Sequence, residues 1–272
     1  MKNLYKNIKS LIIKYNSDRI LIHSDVLFGF KIKFEDHKHF LESHTTMLKG
    51  LCEGLDIWMP AFNYDFCKGK TFDVKQDVSQ VGNLSEYFRS NISEWRSPIP
   101  VFSFAGLGVK PTLSDKIEID PFDGDSLFAI LHRKKGLLMH YGSGFHTTTL
   151  IHYVERISEK LFYRYDKVFK SDIIDENNIK RAVNLNYHVR PLGYSLGYDW
   201  KKLEQELIEN NLLFKFKEGR TCILIGGIED IVFFWLSKLN DDPLYFLDDK
   251  TRLWVDEKLK ILNRPFLLTD FE

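Results

Sequence analysis

Short apolar runs that stop at polar or glycine turns, with helically periodic stretches between them, constrain this 272-residue chain more than any other feature. Ile20-Leu21-Ile22-His23 is too short for a helix and apolar enough for a buried strand, and Ser24-Asp25 follow at once. Ile57-Trp58-Met59-Pro60-Ala61-Phe62, Phe102 to Gly108 and Leu137 to Tyr141 read the same way, as do Leu212 to Phe216 and Thr221 to Ile225. Helical spacing marks Asn3 to Tyr15, Phe34 to Leu55, Leu84 to Ser90, Ser126 to His132, Trp200 to Glu209 and Ile228 to Leu239. No linker rich in proline or glycine and no repeat interrupts the alternation. It predicts an α/β fold: one domain over residues 1–272, mixed sheets flanked by helices, with a β-rich hairpin insertion around 161–190. No dinucleotide-type glycine motif is visible.

Lys plus Arg and Asp plus Glu number 38 each, so no overall field draws in nucleic acid or an anionic membrane. An anionic ligand must then be held by a local patch. The run Ile231 to Leu236 is far too short to span a bilayer, and the amino terminus has no secretory pattern, so a cytoplasmic protein is expected. Cys52, Cys67 and Cys222 form no Cys-x-x-Cys pair and read as small buried residues, with no disulfide framework and no metal. His37, His39 and His44 read as solvated helix histidines, because no carboxylate supports a metal geometry around them.

The stretch that offers chemistry follows the strand Leu137 to Tyr141. Gly142-Ser143-Gly144 turns the chain, Thr147-Thr148-Thr149 precede an apolar-periodic segment as a cap should, and His152 and Glu155 then lie one helical turn apart. A hydroxyl, an imidazole and a carboxylate at the carboxyl end of a strand can move a proton and steady a developing charge. His and Glu three apart also arise often by chance, so the trio alone proves little. Ser24-Asp25 would offer an anion site if a helix began there. The segment Asn63 to Asn83 is too long for a simple connector and carries Tyr64, Asp65, Phe66, Lys68 and Lys70. Asp120, Asp123 and Asp125 crowd a turn at Gly124 that either caps the next helix or holds a cation such as an ammonium; the full calcium-loop pattern is missing.

Leu21-Ile22-His23-Ser24-Asp25, Met59-Pro60-Ala61-Phe62, Gly82 to Arg89, Arg96-Ser97-Pro98-Ile99-Pro100 with Ser103 and Gly106, Pro121-Phe122 with Ser126, and Thr149 to Glu155 occur in this order over most of the chain. Together they resemble the aminoglycoside 3-N-acetyltransferase family, whose members move an acetyl group from acetyl-CoA to an amine on a sugar ring. The resemblance implies that family's antibiotic N-acetyltransferase fold, a small-molecule amino-sugar substrate and no metal. It implies that His23, Ser24, Asp25, Ser103 and Thr149 meet the CoA, with Thr149 facing the thioester sulfur, and that His152 takes the proton, oriented by Glu155. Asp65, Asp123 and Glu155 are the candidate ammonium acceptors. Ile99 departs from the family, where many relatives carry a histidine, and so bears on the acceptor more than on the reaction. The same chemistry on a nucleotide-linked or carrier-linked amino sugar for surface polysaccharide, a CoA-binding module without catalysis, and a structural partner protein are the competing readings. A homo-oligomer is left open.

Overall fold

The computed structural model describes residues 2–33, 36–113, 116–158 and 160–272. Its strands are β1 Arg19–Ser24, β2 Asp56–Pro60, β3 Phe72–Asp73, β4 Trp95–Arg96, β5 Phe104–Leu107, β6 Glu118–Ile119, β7 Leu137–Tyr141, β8 Tyr165–Ile174, β9 Lys180–Val189, β10 Leu213–Glu218 and β11 Thr221–Gly227. Its helices are α1 Lys2–Tyr15, α2 His37–Leu51, α3 Asn83–Asn91, α4 Leu127–Arg133, α5 Leu150–Ile157, α6 Trp200–Glu209, α7 Ile228–Asp241 and α8 Asp249–Leu262.

The larger sheet runs β10-β11-β7-β1-β2-β5-β4. Its centre is parallel, β1 pairing with both β7 and β2, while β5 and β11 run antiparallel to this centre. Parallel central strands are covered on both faces, which is why β1 and β7 read as unbroken apolar runs. Leu21, Trp58, Leu138 and Leu224 pack with Leu131, Ile151 and Trp235 from α4, α5 and α7. Ile20, Ile22, Met59 and Met139, pointing the other way, pack with Ile8, Leu48 and Phe88 from α1, α2 and α3. Burial of this kind stabilises by roughly 25 cal/mol per Å² of apolar surface, so these two layers fix the strand ends in space.

The mixed α/β expectation holds, and the hairpin read around 161–190 is the long antiparallel pair β8–β9. It joins β3 and β6 in a second sheet of order β3-β8-β9-β6. That pairing explains the segment Asn63 to Asn83: Phe66, Phe72 and Val74 are buried, and β3 hydrogen-bonds to β8, so the segment is pinned down.

Several local expectations are corrected. Asp36 caps α2 by accepting from His39 N at 2.8 Å, so the helix runs from 37 to 51 and not from Phe34 to Leu55. Phe34 lies outside the described residues. His44 is fully buried, not solvated: its Nδ1 sits 2.8 Å from the Tyr141 hydroxyl, and burial pushes its pKa down to about 4. Cys67 and Cys222 are only partly buried. Among the described residues no helix is long and apolar enough to cross a membrane.

Candidate active site

The parallel strands β1 and β7 end side by side, with His23 opposite His140 and Ser24 opposite Tyr141. Both strands then turn sharply. Gly142 adopts φ +77, and a Cβ there would lie 2.1 Å from Asp25 O, so only glycine lets the two turns approach. After β1 comes a three-residue 3-10 turn, Val26–Phe28, whose Leu27 N–H is satisfied by the Asp25 carboxylate at 3.0 Å. The condition for an anion site at Ser24-Asp25, an α-helix beginning there, is therefore not met. The amino-terminal residues of α3, Asn83 and Ser85, line the same space.

That space is a cavity of about 710 Å³ whose wall includes His23, Ser24, Asp25, Ser143 and Thr149. His23 Nε2, Ser24 Oγ and Thr149 Oγ1 are buried without a hydrogen-bond partner. Buried polar groups are nearly always paired, so three such atoms on residues lining one cavity make it the candidate ligand site. Burial lowers the His23 pKa to about 4, leaving a neutral ring stacked on His140 at 5.1 Å. His140 uses both nitrogens: Thr148 Oγ1, which donates to Phe145 O, accepts from Nε2 at 2.9 Å, and Nδ1 then accepts from Ser143 Oγ at 3.1 Å. Burial first, and His23 second, hold His140 well below the usual histidine range.

The three threonines do not cap α5. Phe145–Thr147 forms a 3-10 turn, the Thr148 hydroxyl is committed to His140 and Phe145, and Thr149 at the cap position has helical backbone with no side-chain bond to the helix. The hydroxyl that would have capped the helix is thereby left buried without a partner, on a residue that lines the cavity.

His152 Nδ1 lies 2.9 Å from Glu155 Oε2, and the side chains are 24% and 0% exposed. Glu155 Oε1 accepts from Tyr163 at 3.0 Å and Tyr198 at 2.7 Å. Arg164 Nε approaches Glu155 Oε2 at 2.9 Å, at an angle too poor for a hydrogen bond, so this contact is chiefly electrostatic. Burial alone would raise the Glu155 carboxyl; Arg164, His152 and Tyr198 outweigh it and bring the pKa down to about 2. An ionised Glu155 can only accept, so Nδ1 of His152 carries the proton and Nε2 keeps its lone pair. Arg164 Nη2 also stands 3.4 Å from Nδ1, but both are donors and the shorter carboxylate contact prevails. Burial, opposed by the Glu155 bond and reinforced by Arg164, lowers the His152 pKa. The result is a neutral imidazole held in one tautomer.

His152 lines a second cavity, of about 440 Å³, with Arg164, Lys167, Tyr187, Arg190 and Tyr198. Thr149 and His152 thus open to two different spaces from one turn of α5. Other expected residues stand apart from both. Asp65 is held by Lys68 and Lys70 at 2.8 Å each. Asp123 lies with Ile99 on a separate small cavity. Ser103 is fully buried between Arg96 Nε and Ala61 O. Tyr163, Arg164 and Tyr198 went unread as site residues because they reach Glu155 from outside its helix; the one local signal was Arg164 inside a run of β-formers.

The model of the family described as aminoglycoside 3-N-acetyltransferase matches residues 55–235, about two thirds of the chain, which takes in the His152–Glu155 turn and the partners around it. The chain belongs to the aminoglycoside 3-N-acetyltransferase family. By membership it is an acetyl-CoA-dependent N-acetyltransferase. Solved structures carry the same fold. AAC-IIIb in binary complex with CoASH is similar with TM-score 0.70 at 15% identity, over 87% of this chain and 96% of that one. A histidine-to-alanine mutant of AAC(3)-IVa in complex with apramycin gives TM-score 0.64 at 17% identity, over 88% and 93%. YokD from Bacillus subtilis gives 0.63 at 13% identity, over 88% and 94%. No sequence among the curated proteins matches the chain.

Proposed function

We propose that this family member acetylates the amine of an amino sugar by direct transfer, with His152 as general base. The observation that carries the reading is the His152–Glu155 pair, which leaves Nε2 unprotonated on the wall of one cavity while the Thr149 hydroxyl stands unpartnered on the other. Acetyl-CoA supplies the thioester carbonyl that the amine attacks. The 710 Å³ cavity suits such a donor because His23, Ser24 and Thr149 present unsatisfied polar atoms there, and the α3 amino terminus adds backbone donors for an anionic group.

His152 Nε2 accepts the proton that the amine nitrogen loses as the new C–N bond forms and the C–S bond breaks. Glu155 holds the ring in place and stabilises the imidazolium, and Arg164 keeps Glu155 ionised. General base catalysis of this kind contributes typically ~100 to ~10,000-fold. The Thr149 hydroxyl donates toward the sulfur, where negative charge develops. Asp25 keeps the role of lining the donor cavity; Ser103, Asp65 and Asp123 support the surrounding structure in this reading.

Purified protein incubated with acetyl-CoA and a panel of amino sugars tests the proposal through release of free thiol. Turnover that needs both components supports it. CoA-dependent thermal stabilisation with no thiol release from any amine points instead to a CoA-binding module without catalysis.

A further inference from the structure

Among the described residues lining the His152 cavity, the one carboxylate side chain is that of Glu272, and it is paired with Lys167. Of its charged lining groups, Arg164 faces the buried Glu155, and Lys167 pairs with Glu272. The nearby Asp120 and Asp166 are both bound by Arg156. Arg190 is exposed and has no carboxylate partner among the described residues; its guanidinium donates to Ser195 Oγ at 3.0 Å. Arg190 is thus the one unpaired charged side chain among the described lining residues, beside an aromatic wall of Phe169, Tyr187 and Tyr198.

An aminoglycoside is a polycation, and each of its ammonium groups needs an acceptor or a counter-charge. Among the described residues this cavity offers no unpaired carboxylate side chain, and it adds a repelling guanidinium. A phosphate has the opposite requirement. The planar guanidinium fork binds it through two parallel hydrogen bonds, and aromatic rings pack against the apolar face of a sugar.

We propose that the acceptor is a phosphate-bearing amino sugar, its phosphate held by Arg190 in the cavity that His152 lines. The inference rests on the reading of His152 as the base, which places the amine in this cavity.

The test uses matched acceptors with the intact protein and acetyl-CoA: glucosamine against glucosamine 6-phosphate and UDP-glucosamine, with apramycin and gentamicin alongside. Phosphate-bearing sugars should exceed the free sugar by ~100-fold in kcat/KM, and both aminoglycosides should turn over more slowly. Arg190→Gln, an exposed change, should raise KM for the phosphorylated acceptors ~10-fold with little change in kcat, collapsing their advantage.

A panel that omits the natural sugar is covered by binding. With CoA saturating the other cavity, UDP-glucosamine should bind the wild type and lose ~10-fold in affinity in Arg190→Gln, whereas apramycin should not bind. Tight binding or faster turnover of the aminoglycosides overturns the proposal while leaving the acetyltransferase reading intact. So does indifference of UDP-glucosamine to Arg190→Gln. Absence of CoA binding removes both.

Discussion

His152 Nδ1 and Glu155 Oε2 stand 2.9 Å apart across one turn of α5, and this contact fixes which nitrogen can accept a proton. Glu155 is in turn fixed by Tyr163, Tyr198 and Arg164, none of them on its own helix. His152→Ala should therefore lower kcat by ~100 to ~10,000-fold, the usual contribution of a general base. CoA affinity should stay within about twofold, because His152 lines the other cavity. Single-turnover kinetics and a CoA titration check the two halves separately; activity within a few-fold of wild type would remove His152 from the base role.

The acid limb of the pH–rate profile reports the base. As the proposed base, His152 must be neutral to act, and burial places its pKa below the ordinary histidine value of about 6.5, so activity should rise with pH and level off below that value. Glu155 is the group that raises the His152 pKa. Glu155→Gln should shift the limb to lower pH even as the maximal rate falls. A shift to higher pH would mean that another group titrates.

Glu155 also ties the second sheet to the site. Truncating one member of a buried ion pair typically costs about 3–5 kcal/mol, and Glu155→Gln leaves Arg164 buried against a neutral amide. The sign with pH follows from the depressed carboxyl. With a folded-state pKa of about 2 and an ordinary value near 4.3, the stabilisation is fully present above about pH 4.3 and is lost as pH falls through about 2. Urea denaturation at pH 7 and at pH 3 should show the wild-type advantage over Glu155→Gln shrinking at the lower pH.

The parts of the site that follow from local spacing were legible before any coordinates. His152 and Glu155 share a helical face, and a buried strand followed by Gly142-Ser143-Gly144 announces a turn at a strand end. What was not legible depends on tertiary approach. Arg164 and Tyr198 reach Glu155 from beyond β7 and α5, and His140 looked like one more strand residue until β1 set His23 against it. Asp65 carried a functional reading because nothing local showed that Lys68 and Lys70 would both close on it. Helix α8 was missed for a different reason. Its buried residues are Thr251 and Val255, too few for a readable stripe, although Asp248 accepting from Thr251 N is a proper cap.

Gly142→Ala tests the turn that brings β1 and β7 together. The substitution would place a Cβ 2.1 Å from Asp25 O and 2.6 Å from Gly29 N at positive φ, so backbone must move. The expected outcome is a melting temperature several degrees lower together with CoA affinity weakened by ~10-fold or more. Gly124→Ala, where a Cβ meets nothing within 4 Å, is the control and should leave CoA affinity unaltered.

Thr149 separates function from stability. Its hydroxyl is buried and unpartnered in the free protein, so Thr149→Val removes an unsatisfied polar atom and replaces it with a methyl of similar size. The folded protein should be as stable or slightly more so, by up to about 1 kcal/mol. Turnover should nevertheless fall by ~10 to ~100-fold if the hydroxyl serves the developing charge, since mutational removal of one such donor elsewhere costs up to ~1,000-fold. The acceptor KM should hardly move, because Thr149 lines the other cavity. Thr149→Ser keeps the oxygen and should retain most of the rate. A valine variant that is destabilised yet fully active would show instead that the hydroxyl is bonded within the protein and takes no part in transfer.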